Sequence, residues 1–506
     1  MTTFKQIGVI GSGAMGRGIA QLFASAGVEV LLHDSRSEAI EQALMHNRES
    51  LERAAAKGKI SADVLADTLE RMRAAHTLQE LAGCDLLIEA IVENLEAKQK
   101  LFRELEQLVS RDAVLASNTS SLSITLIASA CEHPQRVAGF HFFNPVTLMK
   151  IVEVVRGERT DAQVIERLSA LARHAGHFAA VTPDSPGFLV NHAGRAYGPE
   201  ALRILAEGIA TPAQIDRILR DCLGFRMGPF ELFDLVGLDI SHAVMESIHD
   251  QFYQDPRYTP SSLVPARLAA GLLGRKTGQG FYRYEEGRVV EDARVELPPV
   301  AINQPFWLDC RDAAMRDRIG AVLSSAGAVL EQGEQPGSNA ICLVTPLGED
   351  ASSAIARRQL PVARSLALET FAGFDRRRVL MRHPGLDANV LAQARQALGA
   401  DGVPVEVIND SPGFIAQRVL ASIVNLGCEI VQRRIVDPAT LDRAVQLALG
   451  YPHGPLGFGD QYGAMNIQQI LQALHDCYQE PRYRLSPWLR RRVQLGLPLT
   501  TAEESA

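Results

Sequence analysis

The 506-residue chain has little cysteine and little tryptophan, seven and two residues respectively. The cysteines, at 84, 131, 222, 310, 342, 428 and 477, are odd in number, scattered and never in CxxC spacing. That pattern supports neither a disulfide framework nor a zinc site, and no metal is expected. No run of eighteen or more apolar residues occurs, which argues against a membrane helix. There is no basic block and the formal net charge is -8, which argues against nucleic acid as the main partner. The start, "MTTFKQIGVIG", has no basic head followed by a long apolar stretch, so export is not expected and a cytoplasmic location is. A chain of this length exceeds what one hydrophobic core serves, and three or more domains are expected.

What is present begins at the N-terminus. "KQIGVIGSGAMGRGIAQLFASAGVEVLLHD" gives an apolar run to Ile10, then Gly11, Gly13 and Gly16 at G-x-G-x-x-G spacing, a helical stretch and a second strand ending in Asp34. Three glycines at this spacing serve a tight turn, close approach of backbone to a pyrophosphate, and close packing of helix on strand. Ala14 and Met15 then open the helix whose N-terminus faces the phosphates. An acid after the second strand accepts from a ribose 2'-hydroxyl and repels a 2'-phosphate, so NAD is favoured over NADP, although Arg36 nearby could tolerate the extra phosphate. The bland alternative is a structural turn.

After Asp34 a polar helical pattern of about forty residues, expected as a projecting helical hairpin, delays the return to the sheet. Lys57 and Lys59, near Arg53, suit a phosphate-bearing ligand as well as they suit a solvated face. The strand pattern resumes in "CDLLIEAIVEN", "AVLASNTSS", "RVAGFHFFNP" and "MKIVEVV". Strands alternating with helices predict a mostly parallel, doubly wound sheet with ligands at the carboxyl ends of its strands, where Ser117 to Ser121, His141 and Asn144 fall. His141 and Glu153 interrupt otherwise apolar strands, and an unpaired charge there is costly. If their strands are neighbours, the carboxylate fixes one imidazole nitrogen and the other serves as a base. A satisfied core histidine beside an unrelated acid is the plain alternative.

At this point "GSGAMGRGIA", "EAIVENLEAK", "SNTSSLSIT", "AGFHFFNPV", "KIVEVV", "DSPGFLVN", "GFRMGPFELFDLVGLD" and "GRKTGQGFY", in this order over roughly residues 5 to 284, resemble the L-3-hydroxyacyl-CoA dehydrogenase family. The resemblance implies NAD-dependent oxidation of a (S)-3-hydroxyacyl-CoA, as in fatty-acid β-oxidation. By the same resemblance His141 matches the base, Glu153 its orienting carboxylate, and Ser120 and Asn191 the residues that hold the substrate oxygen. Glu93 and Lys98 match cofactor-side positions, which read alone could be an exposed helical ion pair. Ser50 and Lys57 match positions on the coenzyme A moiety. The rival readings are a dehydrogenase of a free hydroxy or sugar acid, and a non-catalytic NAD-binding protein.

"DSPGF" occurs at 184 and again at 410, and the offset of 226 persists through Asp216/Asp442, Gly228/Gly454, Pro229/Pro455 and Asp234/Asp460. The second copy carries Gln417 where the first has Asn191, and it stops before any counterpart of "GRKTGQGFY". The expected organisation is a Rossmann-type NAD-binding domain over 1–183, then a helical substrate and dimerisation domain of the 6-phosphogluconate-dehydrogenase-like kind over 184–285. A degenerate Rossmann-like region over 290–405, without the glycine motif or "HFFNP", and a second helical domain over 406–497 follow. One active site per chain follows from this. Single-copy relatives dimerise through the helical domain, so a homodimer through these domains is one expectation and internal imitation of the partner is the other. The long, duplicated form resembles family members acting on 3-hydroxyadipyl-CoA in phenylacetate catabolism, with 3-hydroxybutyryl-CoA as the other candidate substrate. Arg195, one helical turn after Asn191, is expected on the same side, where it could meet a distal carboxylate, or it is a surface arginine.

Overall fold

The structure, a computed structural model, describes residues 4–290 and 298–503. The first seven residues after Val290, within the region expected to be degenerate, thus lie outside the described residues. The chain divides into two compact units, Met1–His192 with Arg434–Leu449, and Ala193–Arg433 with Gly450–Ala506.

The first unit is built on eight strands: β1 (Gln6–Ile10), β2 (Glu29–His33), β3 (Met72–Ala75), β4 (Leu86–Glu89), β5 (Val114–Ser117), β6 (Val137–Phe142), β7 (Ile151–Arg156) and β8 (Phe178–Pro183), in the order β3-β2-β1-β4-β5-β6-β7-β8. Neighbours are parallel except β6 and β7, whose antiparallel register sets His141 directly opposite Glu153. Helices α1 (Ala14–Ser25), α2 (Ser37–Ala56), α3 (Ala62–Glu70), α4 (Leu95–Leu108), α5 (Ile124–Ala128) and α6 (Ala162–His174) cover the sheet. One apolar layer joins Ile19, Phe23, Ile40, Leu168 and Leu171 to Phe140 and Phe142, and the opposite layer joins Phe102, Leu105, Ile124 and Ile127 to Leu87, Leu115 and Val155. Both faces being covered explains why the central strands read as continuous apolar runs. Helices α2 and α3 form the expected hairpin, Ser61 capping α3 through the amide of Val64.

The chain then enters α7 (Val190–Ala193), a 3-10 turn at Gly194–Ala196, and α8 (Gly198–Ala206). Here the expectation of one helix carrying Asn191 and Arg195 on a common face is corrected. Pro199 has no N–H to donate, and its ring clashes with the carbonyl four residues back, at Arg195, so a continuous helix breaks there. At the 226 offset, where Pro199 is replaced by Asn425, α16 (Ala416–Gln432) runs unbroken.

In the second unit α8 is followed by α9 (Pro212–Leu223), α10 (Pro229–Val236), α11 (Leu238–Gln251) and α12 (Leu263–Ala269), then the short ribbon β9 (Tyr284–Glu285) and β10 (Arg288–Val289). A second sheet follows, with β11 (Phe306–Asp309), β12 (Ile341–Val344), β13 (Ser365–Leu368), β14 (Arg378–Arg382) and β15 (Val405–Asn409) paired in chain order, and α13 (Ala313–Ser325), α14 (Ala351–Arg358) and α15 (Ala388–Gly399) between them. Only β13 and β14 are antiparallel. Helix α16 is buried almost all round among α8, α9, α18 (Pro455–Tyr462), α19 (Ala464–Tyr478) and α20 (Pro487–Leu495). Its one buried charge at full depth, Arg418, is held by Glu200 at 2.6 Å and by Glu207 at 2.7 and 2.8 Å. Helix α17 (Pro438–Leu449) belongs to the first unit, where it touches β7 and β8. No helix among the described residues is long and apolar enough to cross a membrane, and the seven cysteines form no disulfide.

Candidate active site

The glycine turn joins β1 to α1, and each glycine has a measurable reason. Gly11 has φ +102°, and a Cβ on it would sit 2.5 Å from the Ala90 carbonyl oxygen. A Cβ on Gly16 would come within 1.7 Å of the Gly11 oxygen, so α1 packs on the turn only because that atom is missing. Around Gly13 a Cβ would meet nothing within 4 Å, and no side chain caps the helix it opens. The amides of Ala14 and Met15 therefore start a helix end left to a ligand, the arrangement an anion requires.

Asp34 lies where the second strand ends, across from that turn. One of its oxygens accepts from Ser12 through both the amide (2.9 Å) and the hydroxyl (2.8 Å). Burial alone would raise its pKa, but these bonds and that from the Arg36 amide outweigh it and hold the carboxyl below its usual value. Arg36 itself is exposed, with Nε 3.9 Å from the carboxylate. A fixed anion at this place suits a ribose diol and opposes a 2'-phosphate. The residues therefore fit NAD.

Glu93 and Lys98 are not the exposed pair that helical spacing allows. Lys98 is buried, its Nζ 2.6 Å from Glu89 at the end of β4 and 3.3 Å from Glu93. Glu89 also accepts from Ser117 Oγ at 2.6 Å. Glu93 Oε1 accepts from Thr119 Oγ1 (2.6 Å), from the amides of Ser120 (3.0 Å) and Ser121 (3.1 Å), and from Ser121 Oγ (2.9 Å). Burial would raise the Glu93 pKa, but Lys98 and these donors pull it below the usual carboxylate value. The ion cluster thus clamps the loop that presents Ser120. Glu89 was missed from sequence because it reads as the last residue of a strand, and only the strand order brings it to Lys98.

His141 and Glu153 are brought together as the alternation of their strands requires. His141 Nδ1 lies 2.5 Å from Glu153 Oε2, and Glu153 is fully buried. The other carboxylate oxygen accepts from the amides of Leu189 (2.9 Å) and Val190 (2.8 Å), where α7 begins. Three donors therefore satisfy a charge that would otherwise destabilise the sheet. They leave Nε2 as the nitrogen for chemistry. Phe143 and Phe188 flank the imidazole with ring centroids 4.5 and 6.0 Å away. Asn191 Nδ2 donates to the Ser120 carbonyl at 3.2 Å, so the two residues expected at a substrate oxygen are held as one piece. Asn144 stands exposed beyond β6.

Ser50 and Lys57 line a separate cleft of about 860 Å³ between the hairpin and the β6–β7 connection. Arg53, Lys59 and Lys150 line it too, and no acidic residue does. Lys150 was invisible from sequence because it lies nearly a hundred residues beyond the hairpin. Arg195 falls in the 3-10 turn of the second unit, half-buried, and burial lowers its pKa to about 10 against the opposing effect of Tyr451. Among the described residues no three His, Cys, Asp or Glu side chains are placed to share a metal ion.

Residues 6–185 match the family model "3-hydroxyacyl-CoA dehydrogenase, NAD binding domain", and residues 187–284 and 413–504 both match "3-hydroxyacyl-CoA dehydrogenase, C-terminal domain". A relative in Escherichia coli (strain K12), 3-hydroxyadipyl-CoA dehydrogenase, is 36% identical over 498 residues, which is 98% of each chain. A probable 3-hydroxybutyryl-CoA dehydrogenase of Bacillus subtilis (strain 168) is 42% identical over 282 residues, 56% of this chain and 98% of that protein. The crystal structure of a 3-hydroxybutyryl-CoA dehydrogenase from Escherichia coli K12 is similar at TM-score 0.85 and 34% identity, covering 97% of this chain and 99% of that one.

Proposed function

The chain belongs to the 3-hydroxyacyl-CoA dehydrogenase family, and we propose that its site oxidises a (S)-3-hydroxyacyl-CoA to the 3-oxoacyl-CoA with His141 as the base. The observation that carries this reading is the His141–Glu153 pair at 2.5 Å, on the same sheet as a glycine turn built for NAD. When bound, NAD supplies the ring that takes hydride from the substrate carbon. Nε2 of His141 takes the hydroxyl proton, and Glu153 stabilises the imidazolium that results. Ser120 and Asn191 donate to the oxygen as it becomes a carbonyl. The clamp from Glu93 and Lys98 holds Ser120 in position before substrate arrives, which lowers the cost of ordering it. In the reverse direction His141 starts protonated, and each unit fall in pH favours reduction about tenfold in the equilibrium, since a proton is consumed.

The basic cleft holds the phosphates of coenzyme A, with Ser50 and Lys57 on the hairpin and Lys150 on the β6–β7 connection among its lining. A cleft with four cations and no acid is more than a free hydroxy acid needs. The relatives' names suggest 3-hydroxyadipyl-CoA and 3-hydroxybutyryl-CoA as substrates. Arg195, expected at a distal carboxylate, lies in a 3-10 turn out of the α-helical register that would set it beside Asn191, and it is not assigned to substrate.

We further read the chain as four modules, 1–183, 184–285, 290–405 and 406–497, with the helical module duplicated. Both helical segments match one family model, and α9 and α17 carry the same bounds shifted by 226. Helix α17 touches β7 and β8, while Gln214 and Arg217 of α9 bond to Glu406 of β15. Each helical copy therefore serves the sheet of the other half, as a partner subunit would, and the chain acts as a single-site monomer in a reducing cytoplasm. An assay of NADH oxidation across 3-oxoacyl-CoA substrates of increasing length tests the reading. Absence of turnover on all of them would overturn it.

A further inference from the structure

The second sheet is the counterpart of β4 to β8. In both sheets an antiparallel pair is followed by a parallel edge strand, β8 or β15, and an aspartate after that strand accepts from the first amides of a helix. Asp184 accepts from Ile124 and Thr125, and Asp410 from Ala351 and Ser352. The backbone repeats in detail: Gly187 and Phe188 have φ +72° and +49°, Gly413 and Phe414 +73° and +47°. In this register Glu369 stands where His141 does, Val379 where Glu153 does, Leu347 where Ser120 does and Gln417 where Asn191 does. Strands β1 to β3, which carry the glycine turn and Asp34, have no counterpart in the second sheet. What survives is the substrate half of the fold without its cofactor half.

At the carboxyl ends of β11, β12 and β13 a cleft of about 990 Å³ opens, in the place equivalent to the active site. We propose that this second cleft binds the acyl-pantetheine arm of a coenzyme A thioester without turning it over. The ligand class rests on the function proposed above for the first site. The lining favours a neutral chain that carries amides. Of its three arginines, Arg357 is paired with Glu349 and Arg358 with Asp309, both at 2.8 Å, and Asp312 and Asp476 line the cleft beside Arg311, so the surplus of cations that phosphates need is missing. Gln469 and Gln472 of α19 supply amide donors and acceptors, and the rings of Phe371 and Tyr462, with centroids 5.2 Å apart, offer an apolar wall. Directly behind the floor, Gln417 donates to Glu369 at 3.0 Å and to the Pro346 carbonyl at 3.3 Å, and accepts from Gly348 at 2.8 Å. Glu369 is fully buried with Oε2 lacking a hydrogen-bond partner. The second sheet has no counterpart of the strands that carry the glycine turn and Asp34, so nothing at this cleft takes hydride from a bound alcohol.

Equilibrium dialysis with S-acetoacetyl-pantetheine tests this on the full chain. Two equivalents per chain are expected for the unmodified protein, falling to one in Ala473→Trp, which fills the second cleft, with NADH-linked turnover of acetoacetyl-CoA unchanged. The methyl resonance of Met465, at the rim of that cleft, should shift on titration of the unmodified protein, a readout that needs no substitution. One equivalent in the unmodified protein, or a Met465 resonance that stays still while the first site saturates, would overturn the inference. Absent turnover of acetoacetyl-CoA would instead overturn the reading of the first site.

Discussion

Glu153 accepts three hydrogen bonds, and only one of them goes to His141. The other two tie it to the start of α7 and so to Asn191, which makes this carboxylate a hub between the proposed base and the proposed oxygen-holding residue. Glu153→Gln keeps two acceptor bonds but loses the charge that stabilises the imidazolium. We expect kcat to fall on the order of a hundredfold with KM for NAD nearly unchanged. Equal changes in both would point to a collapsed site instead. At this scale the sequence was informative wherever a residue broke its surroundings: His141 and Glu153 interrupt apolar strands, and Gly11, Gly13 and Gly16 recur at a spacing with a steric cause. It was uninformative for Glu89, whose partners lie on another strand and another helix.

Among the elements, the loop after β5 owes its conformation to the Glu89–Lys98–Glu93 cluster. Lys98→Met leaves Glu89 as a buried charge with fewer partners, which costs about 3 to 5 kcal/mol. A lower urea midpoint for the NAD-binding unit, together with a higher KM for substrate, is the expected outcome. The broken α7–α8 segment shows a local rule overriding periodicity: the spacing of Asn191 and Arg195 reads as one α-helical turn, yet α7 ends at Ala193, Arg195 lies in a 3-10 turn, and Pro199 keeps the segment from running on into α8 as one helix. Burial pushes the Glu369 carboxyl up to about 7, against hydrogen bonds from Gln417 and the Phe371 amide that lower it. Its proton is held more tightly in the folded chain than in the unfolded one. The stability it contributes is therefore complete below about pH 4 and lost as pH rises towards 7, by at most about 3 kcal/mol. Glu369→Gln should flatten the pH dependence of urea unfolding over that window. An unaltered slope would show that Glu369 is charged throughout.

For the whole molecule, the repeat at 226 residues was legible because "DSPGF" and its flanking prolines and glycines survive twice. The second sheet was legible as a degenerate Rossmann-like region, without the glycine motif or "HFFNP". Its strands are four to five residues long and reuse no catalytic-candidate side chain of the first sheet, so the proposed correspondence with β4 to β8 rests on register and on the Asp184 and Asp410 bonds. Which sheet α9 and α17 each meet was left open between a homodimer and internal imitation of the partner, since each helix carries the same pattern whichever sheet it meets. If the second half replaces a partner subunit, specific activity should stay constant on dilution through the nanomolar range. A fall that added protein reverses would mean a second chain is required.

The central claim is that His141 moves the proton. Single-turnover reduction of acetoacetyl-CoA by prebound NADH, compared between the unmodified chain and His141→Gln, tests it most directly. The account predicts a rate constant lower by about a hundredfold or more, with the dissociation constant for NADH unchanged. A variant that transfers hydride within a few-fold of the unmodified rate would contradict it.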